Sequence, residues 1–278
     1  MELPTKINDL SRLCIHTQTN RPWDLKRCAV EYQRAGIRGI SVWRHLLEKT
    51  GPGEARSILR DHDLTVVSLV RGGFFASVDP GRRKDAIREN MEALEEADQI
   101  GAPLLVLVCG ADPGQTQEHS RDQIREGIRQ LMPLAESVGV RLAIEPLHPM
   151  YAADRSAIVT LKQANDMVDA IGSESVGVAV DVFHLWWDPE LPAEIRRCGT
   201  MNSLFAFHIC DWKPDMKDML NDRGIMGEGC IDVKQIRGWV ESAGFTGFHE
   251  VEIFSDHYWA QDQAAYLQSI VEAYRKHS

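Results

Sequence analysis

The feature that most constrains this chain is an eightfold alternation of short apolar runs with longer amphipathic stretches. The pattern predicts strands over Arg12 to His16, Gly39 to Trp43, Leu64 to Val70, Leu104 to Cys109, Arg141 to Glu145, Val176 to Val180, Leu204 to Ile209 and Phe248 to Ile253. Most of these runs, such as Leu-Leu-Val-Leu-Val, are apolar without interruption, as strands covered on both faces are. Between them apolar residues recur at helical spacing, most clearly over Arg82 to Ile100, Ser120 to Val138, Leu161 to Ile171 and Asp232 to Ser242. Gly36, Gly101, Gly139, Gly172 and Gly244 each follow such a stretch, where a helix commonly stops.

Eight strand–helix units imply a parallel sheet, and eight is the number that closes into a barrel. The chain has 278 residues, close to the roughly 250 of a (β/α)8 barrel. The expected fold is therefore α/β, a single TIM barrel domain spanning residues 1–278. An open doubly wound sheet usually carries a glycine-rich phosphate loop after an early strand, and none is present here. The longest irregular segments, Pro146 to Thr160 and Cys210 to Ile231, both follow strands and so lie over the barrel mouth.

Charge narrows the partners. Against 41 Asp plus Glu stand 31 Lys plus Arg, a formal net charge of -10, which disfavours nucleic acid and anionic lipid. No apolar run reaches the ~18 residues of a membrane span, and the first residues lack a signal-peptide pattern. A cytoplasmic protein with no nucleic-acid or membrane partner is expected. The six cysteines form no C-x-x-C pair and read as reduced thiols.

Barrel enzymes gather their working residues at the C-terminal ends of strands. Here those ends carry His16, Trp43 with Arg44, Arg71, Glu145, Asp181 with His184, His208 with Asp211, and Glu250 with Glu252. An isolated carboxylate at a strand end is ordinarily a helix N-cap. Glu145, Asp181, His208 and Glu252, arriving after four successive strands, instead form a candidate metal set. Three carboxylates and one imidazole suit a divalent ion, Mn²⁺ first and Mg²⁺, Co²⁺ or Zn²⁺ after it. Glu250 and Glu252 share a strand face, and Glu252 lies nearer the mouth. Glu250 reads as a deeper ion-pair partner. Arg71-Gly72-Gly73-Phe74-Phe75 reads as a turn beside the site, and Arg44 and Arg71 as partners of mouth carboxylates or of a substrate anion. His148 is a candidate donor to a substrate oxygen. Trp43, Trp186, Trp187 and Trp212 are candidate sugar-stacking faces.

The segments Ala-Ile-Glu-Pro (143–146), Val-Asp-Val-Phe-His (180–184), Phe-His-Ile-Cys-Asp (207–211), Asp-Arg-Gly-Ile-Met-Gly-Glu-Gly (222–229) and Glu-Val-Glu-Ile-Phe (250–254) resemble the xylose isomerase-like barrel superfamily. Within it they resemble the sugar phosphate isomerase/epimerase group, which includes ketose 3-epimerases and inosose dehydratases. The resemblance implies that Glu145 and Glu252 are a catalytic acid–base pair as well as metal ligands. It also implies that His184 and Arg223 contact substrate and that the chain forms a dimer or tetramer; His148, His16, Arg71 and Trp43 join them as candidate substrate contacts from their places at or just after strand ends. The sequence departs from the epimerases after Glu145 and between His208 and Arg223.

The expected activity is isomerisation or epimerisation of a non-phosphorylated keto-sugar or polyol. A metal and a carboxylate together ease removal of the weakly acidic proton next to a carbonyl. Loss of a β-oxygen would make the same site a lyase, a keto-inositol dehydratase or a 3-keto-glycoside eliminase. An apurinic endonuclease of this superfamily is a remote alternative, because it needs histidines where Arg71 and Cys109 stand.

Overall fold

The apolar runs become eight parallel strands in a computed structural model that describes residues 6–278; residues 1–5 of the expected domain lie outside the described part. The strands are β1 (Leu13–His16), β2 (Gly39–Trp43), β3 (Thr65–Gly73), β4 (Leu104–Val108), β5 (Arg141–Ile144), β6 (Val176–Asp181), β7 (Leu204–Ile209) and β8 (His249–Val251). Each pairs with the next and β8 pairs with β1, so the sheet closes into a barrel. Helices fill the intervals between strands, including Pro80–Ile100, Gln117–Val138, Leu161–Ile171 and Val233–Ser242.

Local chemistry sets the helix ends. Asp24, Asp79, Thr116, Thr160 and Asp232 each accept a hydrogen bond from a backbone N–H of the first helical turn, which satisfies a donor that the helix leaves unpaired. Gly101 and Gly139 take φ of 79° and 71° at the far ends, the left-handed cap that glycine adopts without strain.

One expectation fails at β3. Arg71, Gly72 and Gly73 are not a turn but the end of the strand, with Gly72 and Gly73 registered against Leu107 and Val108. Gly73 has φ 112°, and a Cβ there would sit 1.9 Å from the Val108 carbonyl oxygen. The glycines are present because β4 and Asn90 crowd the strand. Asn90 accepts from the Gly73 N–H at 2.6 Å and donates to its carbonyl at 2.8 Å.

Two apolar layers result. A large one fills the space between barrel and helices, and a small one inside the barrel comprises Val70, Leu104, Val106, Ala143, Ala179 and Ala206. The inner alanines fix what lies above them. Residues two apart on a strand share a face, so Ala143, Ala179 and Ala206 aim Glu145, Asp181 and His208 at the barrel axis. No helix among the described residues is long and apolar enough to cross a membrane. The six cysteines are unpaired, with only Cys230 exposed.

Candidate active site and metal-ligating cluster

Glu145, Asp181, His208 and Glu252 are buried at the mouth, and their ligand atoms all lie within 4.8 Å of one another. Glu145 follows β5 and Glu252 follows β8, each still tied to the neighbouring strand by its backbone N–H. Asp181 divides its carboxylate between two tasks. Oδ1 caps the short helix Val182–Leu185 by accepting from the Phe183 N–H at 2.7 Å, while Oδ2 faces Arg223 at 3.3 Å. His208 meets Glu145 Oε1 through Nδ1 at 2.7 Å, and its Nε2 is buried without a hydrogen-bond partner.

Beneath this cluster lies a second ionic layer. His16 bridges the strand-eight carboxylates, with Nε2 3.2 Å from Glu250 and Nδ1 3.0 Å from Glu252. Ser41 donates to Glu250 at 2.6 Å and Ser68 at 3.2 Å. Glu250 therefore occupies the deeper ion-pair position expected from its place in the strand. His16 stands at the expected strand end, but its ring nitrogens face the two carboxylates, with the Trp43 indole N–H also 3.4 Å from Nδ1, and the residue is fully buried.

Arg223 reaches the site from the long segment after β7. Asp211 organises that segment: its carboxylate accepts from the backbone N–H groups of Trp212, Gly227, Gly229 and Ile231 at 2.8 to 3.0 Å. Reciprocal backbone bonds join Asp211 to Gly224, and the Arg223 N–H donates to the Phe254 carbonyl. The guanidinium then lies between the rings of Phe183 and Phe254 and contacts Asp181, Glu252 and His184. Asp211, which the sequence offered as a mouth residue, is thus a loop anchor.

His184 meets the His148 backbone N–H at Nδ1, 3.2 Å away, and the Arg223 guanidinium at Nε2, 3.3 Å away. His148 meets His184 only through that backbone group. Its ring packs beside Trp187 and Trp212, and its Nδ1 accepts from the Met150 N–H. Trp43 lines the cavity, edge-on to Phe254 at 5.3 Å. Arg44 pairs with Glu96 on the helix Pro80–Ile100 rather than with a mouth carboxylate.

Burial and charge set the protonation states. Burial pushes the Asp181 carboxyl up to about 7 against the pull of Arg223. It also opposes charge on His208, yet Glu145 and Glu250 lift that imidazole to about 10. At Glu252 burial is overcome by His16 and Arg223, which hold the carboxyl well below the usual carboxylate range. His184 is driven well below the ordinary histidine value by burial and by Arg223, so its ring is neutral. A protonated His208 amid three carboxylates stands where a bound cation would place its charge.

Above the cluster is a cavity of about 230 Å³, into which Glu145, Glu252, His184 and Arg223 project. Tyr151 and Arg155 also line it, and sequence reasoning missed both. They sit in the segment after Glu145, whose path is fixed by a bridge between Gly110 and Ser156 and by a hydrogen bond from Tyr151 to the Met219 carbonyl. No local pattern announces such contacts.

Residues 30–275 match the family described as xylose isomerase-like TIM barrel. The chain belongs to that family. Among solved structures, protein SMc04130 from Sinorhizobium meliloti 1021 is 44% identical with a TM-score of 0.93, covering 97% of this chain and 99% of that one. An inosose isomerase of Bacillus velezensis is 24% identical over 258 residues, 89% of this chain and 90% of its own. The IOLI protein, solved with a bound zinc atom, has a TM-score of 0.83 at 20% identity, covering 95% of this chain and 96% of that one. The expected fold, family and enzyme class are met within the xylose isomerase-like TIM barrels.

Proposed function

We propose that this chain is a divalent-metal-dependent isomerase or epimerase that moves a proton at the carbon beside the carbonyl of a keto-sugar or keto-polyol. The observation that carries the reading is the meeting of three carboxylates and one imidazole within 4.8 Å, with two of those carboxylates opening into one cavity. The donor set fits a divalent ion, and the buried Nε2 of His208, which makes no hydrogen bond and lies 3.8 Å from Glu250, has room for a further partner. Glu145, Asp181, His208 and Glu252 would hold the ion, which supplies Lewis-acid polarisation of a substrate carbonyl.

The chain's own groups then divide the work. Glu145 has Oε1 committed to His208, while no donor among the described residues reaches Oε2, which is free to take or return a proton. Glu252 is kept ionised by His16 and Arg223 and contributes the second carboxylate, three strands further round the barrel. Proton removal by one and return by the other gives an epimer, whereas return to the adjacent carbon gives an isomer. His184 presents its imidazole and Arg223 a guanidinium, and both orient substrate oxygens. Trp43, Phe254 and Tyr151 wall the cavity against water.

Elemental analysis after chelation and reloading with Mn²⁺ is expected to find about one ion per chain. A panel of keto-sugars in heavy water should then show exchange of one carbon-bound proton. Absence of both metal and exchange defeats the proposal, and an unsaturated product in place of an epimer or isomer identifies a lyase.

Metal uptake should also be linked to pH. His208 carries its proton up to about pH 10, and only the neutral ring can ligate. Binding at pH 7 is therefore expected to release about one proton from His208, with more contributed by Asp181, so affinity rises with pH. Calorimetry in buffers of differing ionisation enthalpy measures the release, and uptake without protons would remove His208 from the ligand set.

A further inference from the structure

The cavity above the carboxylates holds two cations that form no ion pair among the described residues. Arg44 pairs with Glu96, and Arg223 pairs with Asp181 and Glu252. Among the described residues, no carboxylate comes within 4.0 Å of Arg71 or Arg155. Neither guanidinium donates a hydrogen bond to any described group. Each lies across an aromatic face, Arg71 over Phe74 at 4.4 Å and Arg155 over Tyr151 at 5.5 Å. That packing holds the plane and leaves the N–H edges for something else. Both side chains are half-buried, and both line the cavity into which Glu145 and Glu252 open.

Their placement is built rather than incidental. Arg71 sits near the end of β3, where Asn90 and Val108 fix the backbone two residues on. Arg155 is tied down by its own carbonyl, which accepts from the Gly110 N–H at 2.8 Å. The two come from separate stretches of sequence to one space, where burial and the Arg155 charge push the Arg71 guanidinium below its ordinary value against a smaller pull from Glu145 and Glu252. It stays cationic all the same.

Charge balance says what is missing. On the proton-transfer reading above, on which this step rests, a divalent ion and Arg223 offset Glu145, Asp181 and Glu252. His16 and Glu250 offset one another. Arg71 and Arg155 remain, facing the cavity. A neutral sugar filling that space would strip water from two guanidinium groups and return few acceptors of matching charge. An anionic group would satisfy both.

We infer that Arg71 and Arg155 form a carboxylate clamp, and that the substrate of this site is an acidic keto-sugar whose carboxylate lies at the end remote from the proton transfer. Two planar forks match a planar carboxylate. A phosphate is ordinarily cradled by backbone N–H groups as well, and two glycine N–H groups beside the pair, those of Gly73 and Gly110, are already given to Asn90 and to the Arg155 carbonyl.

A matched series tests this: D-fructose, D-fructuronate and D-fructose 6-phosphate, which differ only at carbon 6. Each is titrated by calorimetry into the Mn²⁺-loaded enzyme and into its Arg71→Gln, Arg71→Lys and Arg155→Gln variants, with Mn²⁺ affinity measured on each. D-fructuronate is expected to bind at least about tenfold more tightly than D-fructose, the yield of one charge-assisted contact. That advantage should shrink to within about threefold in either glutamine variant and partly return in Arg71→Lys, with Mn²⁺ binding unchanged throughout. Equal affinity for the acidic and neutral sugars, a preference that survives both glutamine variants, or no binding by any of the three overturns the inference. Preference for the 6-phosphate replaces carboxylate with phosphate and overturns it too. Metal binding with proton exchange on the neutral ketose would leave the isomerase reading intact while the clamp fails, so the two failures are distinguishable.

Discussion

Glu252→Gln is expected to lower turnover by about 10³-fold or more, within the range that loss of a positioned acid–base group produces. The same change should weaken Mn²⁺ binding by at least about a hundredfold, more than the loss of an outer partner of a ligand costs. The reason is specific to this site. Glu252 touches His16 through one oxygen and Arg223 through the other, so the amide leaves two buried cations short of a counter-charge. Glu250→Gln is the control. Glu250 sits below the cluster among His16, Ser41 and Ser68, and its variant should still load about one ion per chain. Metal analysis and single-turnover exchange on the two proteins separate the roles. Equal metal loss in both would place a ligand on Glu250 and overturn the assignment within β8.

The largest effect on stability is expected from Gly73→Ala. The backbone there has φ 112°, and the added methyl carbon would stand 1.9 Å from a β4 carbonyl oxygen that cannot move without breaking the ladder. Strain and overlap together place the cost at about 4 kcal/mol or more, the level reserved for severe backbone conflicts. In a chain of this size that lowers the melting temperature by about 10 °C. Gly101→Ala provides the contrast. Gly101 is also left-handed, at φ 79°, but has nothing within 4 Å of a built Cβ, so its cost should be only about 1–2 kcal/mol. Thermal melts that rank the two in the opposite order would show that β3 and β4 yield more easily than their packing implies.

The barrel was legible because its strands are buried on both faces and so leave continuous apolar runs. The strand-end carboxylates were legible for the same reason, since a polar residue ending such a run stands out. β3 was read short because Arg71-Gly72-Gly73 carries turn residues, and only the crowding from Asn90 and Val108 explains glycine inside a strand. The site was harder. The ring of His148 turns toward Trp187 and Trp212, and Asp211 turns inward to four backbone N–H groups. Arg155 and Tyr151 gain their positions from contacts between loops distant in sequence. Side-chain identity reports which atoms are available, whereas direction in a loop is set by partners that no spacing rule encodes.

The knot at Asp211 separates what must stay fixed from what is free to vary. Its four bonds and the Asp211–Gly224 bridge hold both ends of the excursion after β7, and so fix the point from which Arg223 enters the site. The stretch between Lys213 and Asp222 hangs from that clasp, carrying exposed Met219 and the cavity-lining Leu220. Substitutions at the exposed side chains of this stretch can therefore re-tailor the rim of the pocket while the clasp keeps Arg223 over the carboxylates and the Met219 carbonyl keeps its bond to Tyr151.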